Sequence, residues 1–113
     1  MRPFELSERQ LGPGCRQITV IGELDLSVAG ELGALLDRVA QEEKVVIDLN
    51  QCEFVDSTGI AVIVRAHALF AKAGGRIAVY GASEQVQRVL SITGLTDNGL
   101  VVASVDDALA DES

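Results

Sequence analysis

The residues best placed to do chemistry are Asp56-Ser57-Thr58-Gly59, where an apolar stretch ends and a helical pattern begins. Upstream lie Val45-Val46-Ile47-Asp48-Leu49-Asn50 and then Phe54-Val55; downstream lies Ile60-Ala61-Val62-Ile63-Val64. The first block predicts a strand covered on both faces, and the second a helix packed on a sheet. A hydroxyl at such a junction lies at a helix N-terminus. There the free backbone N–H groups and the positive dipole end hold a hydroxyl, a carboxylate or a phosphate. Such a site can be switched by adding and removing charge on Ser57. A plain helix-capping role would also place a serine there. Two features favour the switch. Asp56 precedes Ser57, so two groups compete for a cap that needs one. Gly59 would leave the backbone on that side uncovered, open to the close approach of another protein.

Other chemistries fit less well. His67 is the only imidazole, ten residues along the helix begun by Ser57. That is a rise of about 15 Å, too far for a hydrogen bond to the hydroxyl. His67 shares a helical face with Ile60, Ile63 and Val64, which predicts a partly buried packing residue. No GxSxG elbow, P-loop or GxGxxG is present. Asp25, Asp48 and Asp56 could gather at neighbouring strand ends as a magnesium site. The expectation is instead that Asp48 satisfies local backbone groups and Asp25 faces solvent. Val62 and Leu69 fall off the apolar stripe, so this helix either lies under a neighbouring helix or offers apolar surface to a partner.

The totals set the frame. A chain of 113 residues is one domain by the usual size prior, and 48% hydrophobic residues suffice for a core. Aromatic content is only 4% with no Trp, so Val, Ile, Leu and Ala must fill that core. A net charge of −8 makes nucleic acid a poor partner, because phosphate binding depends on clustered Lys and Arg. A basic groove on a protein is the better match. Cys15 and Cys52 form no CxxC pair and lie far in sequence from His67, so no zinc site is expected. The first residues have no apolar core of a secretory signal, and no stretch is long and apolar enough to cross a bilayer. The expectation is a cytoplasmic protein with reduced thiols.

The elements that must position Ser57 follow from periodicity and turn chemistry. Residues 3–10 alternate weakly, and Leu11-Gly12-Pro13-Gly14 is a turn signal before β-rich residues 16–22, which predicts a hairpin with the first strand at an edge. Glu23-Leu24-Asp25-Leu26 reads as a loop or strand end. Ser27 is the expected N-cap of a helix over about 28–41 carrying Val28, Leu32, Leu35, Leu36 and Val39, weakened locally by Gly30 and Gly33. Residues 45–49 form a strand, a helix runs from Ser57 to about 73, and Gly74-Gly75 ends it. Residues 76–80 form a strand, and Ser83 caps a short helix with Glu84 in its first turn. That helix carries Val86, Val89 and Leu90 and stops at Gly94-Leu95. Residues 100–102 form a last short strand, and 105–110 a possible terminal helix. The order is β-β-α-β-α-β-α-β, an α/β domain with a central mixed, mostly parallel sheet and helices packed against it.

Several segments together carry a family resemblance. They are Gly22-Glu23-Leu24-Asp25, Val46-Ile47-Asp48-Leu49, Phe54-Val55-Asp56-Ser57-Thr58-Gly59-Ile60, Gly74-Gly75-Arg76-Ile77 and Val89-Leu90-Ser91-Ile92-Thr93-Gly94-Leu95. In this order the chain resembles STAS domains, and within them the bacterial anti-sigma factor antagonists. The resemblance implies a single STAS domain over residues 1–113, with a core at about 15–110 and an edge strand at about 3–10. It implies a partner that is an anti-sigma factor with GHKL-type serine kinase activity. Binding would release the sigma factor. The kinase would phosphorylate Ser57, and a PP2C-type phosphatase would reverse this. Thr58 replaces the commoner second serine, keeps a hydroxyl and is a conceivable second acceptor. Asp25 would pair with a basic kinase residue, and Glu23, Asp56, Ser57, Thr58, Gly59 and Val62 would share the partner surface. No catalytic residue, metal, cofactor, nucleic acid or membrane is implied, and the protein would be a monomer or weak dimer. Two rivals remain at this point: a STAS scaffold of a stress-signalling or lipid-transport assembly, and a phosphoaspartate receiver using Asp48. The receiver lacks the acidic pair and the lysine it would need.

Overall fold

The computed structural model describes residues 4–40, 44–81, 83–92 and 101–102. β1 (Glu5–Gly12) and β2 (Cys15–Leu24) form the expected antiparallel hairpin, with Glu5 opposite Ile21 and Arg9 opposite Gln17. The turn is only Pro13-Gly14, and Gly14 closes it at φ 71°, a backbone conformation open to glycine because it has no Cβ. The remaining elements are α1 (Leu26–Arg38), β3 (Lys44–Asp48), β4 (Cys52–Val55), α2 (Ser57–Lys72), β5 (Arg76–Tyr80), α3 (Glu84–Ile92) and β6 (Val101–Val102). The expected terminal helix at 105–110 lies outside the described residues, as does the Gly94-Leu95 stop.

The strands lie in the order β1-β2-β3-β5-β6, and every pairing after the hairpin is parallel. Strands in sequential order joined by right-handed crossovers place their helices on one face. The core fits that rule. Ile18 and Val20 of β2, Leu32 and Leu36 of α1, Val45 and Ile47 of β3, Ile63 and Phe70 of α2, Ile77 and Val79 of β5 and Val86 of α3 form one buried cluster. Aliphatic side chains fill it, as the composition requires, with Phe70 as its one fully buried aromatic. The opposite face holds a smaller cluster of Cys15, Val46 and Ala78. β3 is covered on both faces, and its three central residues, Val45, Val46 and Ile47, are all apolar and fully buried.

Two elements differ from expectation. β2 has two successive parallel partners: Cys15–Thr19 pair with Lys44–Asp48, and Gly22–Leu24 pair with Cys52–Val55. The chain turns at Asn50-Gln51 and resumes as a separate strand, β4, that the sequence pattern does not announce. With Glu53 and Phe54 both exposed, β4 has no apolar run to reveal it. The second difference is the start of α1. Its N-cap is Asp25, not Ser27. Asp25 has the extended backbone an N-cap needs, and its Oδ1 accepts from the Ser27 amide at 3.0 Å and from the Ser27 hydroxyl at 2.7 Å. A charged acceptor two residues earlier outcompetes the neutral hydroxyl, which donates to it instead. At α3, Ser83 does cap as expected, its Oγ accepting from Val86 N at 3.2 Å.

The α2 face holds both answers to the off-stripe residues. Val62 is half-buried against α1, its methyl 3.8 Å from where a Cβ on Gly33 would stand, so Gly33 lets the two helices approach. Leu69, two turns further along, is 40% exposed. His67 is a half-buried packing residue as expected. Its Nδ1 is buried and has no hydrogen-bond partner among the described residues. Burial, and then the positive charge of Arg76, push its pKa below the ordinary histidine value. The unfolded chain therefore binds this proton first as pH falls, so stability is complete above about pH 6.5 and declines as pH drops through the unfolded value toward the lower folded one. Urea midpoints at pH 7.5, 6.5 and 5.5 should fall in wild type. They should fall less in His67→Gln; equal slopes would remove His67 from the account.

Candidate functional site

β2 and β4 run side by side, with Glu23 opposite Phe54 and Leu24 opposite Val55. The ladder continues one step further, where Asp56 N donates to Leu24 O at 3.1 Å. Each strand then turns into a helix at the next residue through an aspartate in extended conformation: Asp25 at φ −122°, ψ −175°, and Asp56 at φ −91°, ψ −177°. The two strand–aspartate–helix junctions are thus copies of one local structure, set in register. Leu26 opens α1 where Ser57 opens α2, and Ser27 stands where Thr58 stands.

The Asp56 carboxylate ties the copies together. Oδ1 accepts from Gly59 N at 3.0 Å and so caps α2. Oδ2 accepts from Leu26 N at 3.1 Å, the first amide of α1. One side chain therefore satisfies orphan donors of two helices, and both dipoles favour its negative charge. This settles the competition at the α2 cap in favour of Asp56. Ser57 is the first helical residue rather than the cap. It is exposed, and its hydroxyl has no hydrogen-bond partner among the described residues. Thr58 is half-buried. With Gly33, Ala61 and Val62 it lines a groove of about 450 Å³ between α1 and α2, which Arg65 and Asp37, 3.6 Å apart, close at the far side.

The other expected site residues divide. Glu23 is exposed beside Phe54, and Asp25 is half-buried in its capping role rather than simply facing solvent. Gly59 is the clear correction. It is buried, not open to an approaching chain. A Cβ there would stand 2.8 Å and 3.0 Å from the Leu24 side chain and 2.9 Å from that of Val55. Its smallness lets α2 sit directly on the ends of β2 and β4. Asp48 behaves as expected, accepting from Asn50 N at 2.9 Å, from Asn50 Nδ2 at 3.0 Å and from Tyr80 OH at 3.0 Å. It is apart from the Asp25–Asp56 pair, and among the described residues no three His, Cys, Asp or Glu side chains are grouped to hold a metal ion. Cys15 is buried and Cys52 half-buried, and burial pushes the Cys52 thiol pKa up.

Two exposed apolar side chains at the junctions were not foreseen. Leu26 is 74% exposed and Phe54 46%. The signal for them was a doubled pattern, Glu-Leu-Asp-Leu-Ser over 23–27 and Phe-Val-Asp-Ser-Thr over 54–58. Only the pairing of β2 with β4 gives that pattern a meaning.

The STAS domain family model matches residues 8–108, nearly the whole chain. The chain belongs to the STAS domain family. Among its relatives, the anti-sigma-B factor antagonist of Listeria monocytogenes is 33% identical over 82 residues, which cover 71% of this chain and 72% of the relative. The crystal structure of an anti-sigma factor antagonist from Mycobacterium paratuberculosis superposes with a TM-score of 0.80 at 25% identity, covering 95% of this chain and 92% of that one. SpoIIAA of Bacillus in its phosphorylated form shares the fold at a TM-score of 0.75 and 17% identity, over 90% of this chain and 91% of that one. Among the described residues of this STAS domain, no helix is long and apolar enough to cross a membrane.

The geometry separates substitutions by mechanism. Asp56→Ala removes a cap and a bridge between helices, and should cost about 1–3 kcal/mol in urea unfolding. Gly59→Ala should cost a similar amount, about 1–3 kcal/mol, by forcing Leu24 and Val55 aside. Gly30→Ala, with nothing within 4 Å of the added methyl, should instead stabilise α1 by about 0.5–1 kcal/mol. A neutral Gly59→Ala would contradict the close approach described here.

Proposed function

We propose that this STAS protein is an anti-sigma factor antagonist switched by phosphorylation of Ser57. In its unmodified form it binds an anti-sigma factor that is also a GHKL-type serine kinase, and the sigma factor is released. The kinase transfers a phosphoryl group to Ser57, the complex separates, and a PP2C-type phosphatase restores the binding form. The observation that supports this most is the division of labour at the α2 N-terminus: Asp56 does the capping, while Ser57 presents a free hydroxyl beside it. Thr58, turned into the groove between the helices, is the poorer acceptor. The relatives named anti-sigma-B factor antagonists point the same way.

The electrostatics of the switch follow from its surroundings. Phosphorylation adds about −1.5 to −2 charge. At a helix N-terminus that charge is tolerated, so the fold survives it. Residues 21–37 and 50–64 contain no Lys or Arg, so neither junction supplies a cation to neutralise the phosphate. The added charge instead stands next to Asp56 and confronts whatever the partner places opposite a neutral hydroxyl. Desolvation and repulsion there weaken the complex.

Incubation with a purified GHKL-type anti-sigma kinase and Mg-ATP should add one phosphoryl group to the wild type and none to Ser57→Ala, read by intact mass. Ser57→Asp should weaken partner binding by about 100-fold, several kcal/mol being typical for a charge misplaced at an interface. Its thermal midpoint should stay near that of wild type. A phosphoryl group retained on Ser57→Ala would remove Ser57 from the role, and gross unfolding of Ser57→Asp would make it a structural residue.

A further inference from the structure

We propose that Leu26 is the apolar anchor of this docking surface, and that with Phe54 it determines how tightly, and to which partner, the protein binds. The inference rests on the anti-sigma factor reading above and extends it from the switch to the affinity. Leu26 opens α1 at the position equivalent to that of Ser57 in α2, and the Asp56 carboxylate fastens its amide. A leucine that is 74% exposed on a rigid helix start contributes nothing to the core, and α1 already buries Ala29, Leu32, Leu35 and Leu36. Of the large apolar side chains exposed among the described residues, two flank Ser57: Leu26 and Phe54. The third, Leu69, stands three turns further along α2.

The surroundings specify the occupant. Phe54 lies beside Glu23 across the β2–β4 pair, and Asp25 and Asp56 stand one residue before Leu26 and Ser57. Apolar projections set among carboxylates, with no Lys or Arg on either junction, fit a partner surface with apolar pockets rimmed by Lys or Arg. Apolar anchors in desolvated pockets carry most of the energy of a typical interface, while rim charges govern encounter and selectivity. Ser57 then decides whether the complex forms, and Leu26 decides its strength. Because the Asp56 carboxylate fastens the Leu26 amide and caps the helix that Ser57 opens, a partner seated on Leu26 is carried over the hydroxyl it must phosphorylate.

The test is calorimetric titration of the full chain against each GHKL-type anti-sigma kinase encoded alongside it, together with steady-state phosphorylation of Ser57. Leu26→Ala should weaken binding by about 10- to 100-fold and raise KM for phosphorylation, with kcat at saturation and the thermal midpoint unchanged. Leu26→Met should bind nearly as wild type, Phe54→Ala should weaken binding to a smaller degree, and Leu69→Ala should have no effect. Wild-type affinity in Leu26→Ala, with the wild type binding and being phosphorylated, would overturn the anchor alone. An equal loss in Leu69→Ala would also overturn it, since any exposed leucine would then serve. A wild type that binds none of the kinases would overturn the anti-sigma reading and the anchor together.

Discussion

The two oxygens of the Asp56 carboxylate accept from amides in the first turns of two different helices, and the rest of the site depends on this. A helix N-terminus leaves up to four N–H groups without partners, and two such ends side by side present that problem twice. The parallel pairing of Gly22–Leu24 with Cys52–Val55 brings the ends together. Asp25 serves α1 through the Ser27 amide, Asp56 serves α2 through Gly59 N, and the second oxygen of Asp56 takes the remaining amide at Leu26. The absence of a Cβ at Gly59 is part of the same device. α2 can start close enough for the bridge only because its first turn rests on Leu24 and Val55.

From that constraint comes the site's chemical character. With the capping done by carboxylates, Ser57 has no structural duty and stands exposed at the positive end of a helix dipole. Such a hydroxyl can gain or lose charge without disturbing the frame around it. The same frame holds Leu26 and Phe54 exposed and in fixed relation to Ser57, so that the proposed charge switch and the proposed apolar contact surface share one support. On the proposed reading regulation needs no change of shape, because the energy difference between the two states lies at the interface.

Much of this was legible in the residues. Aliphatic runs at 45–49 and 76–80 announced buried parallel strands, and the periodicity of 57–72 announced a helix. The Asp-Ser-Thr-Gly junction marked the start of α2. What was not legible depended on partners distant in sequence. β4 carries exposed residues at two of four positions and becomes a strand only by pairing with β2. Ser27 has the type of an N-cap and sits before an apolar periodic stretch. Asp25 takes that role because the chain is still extended at the end of β2. Gly59 suggested an open backbone, yet the glycine is there for Leu24, thirty-five residues earlier. Leu26 seemed an unremarkable loop residue until the register of two strands set it beside Ser57. At β4, Gly59 and Leu26 a local preference was overruled by the packing of β2, β4 and α2 on one another.

The most direct measurement is amide hydrogen exchange at Leu26 and Gly59, comparing the unmodified chain with one carrying phosphoserine introduced at position 57 during synthesis. If Asp56 alone caps α2 and bridges to α1, both amides keep their protection when the phosphate is added, and the changes are confined to chemical shifts of residues around Ser57. Loss of protection at either amide would show that the Ser57 hydroxyl shares the cap. The separation between structural aspartate and switchable serine would then fail.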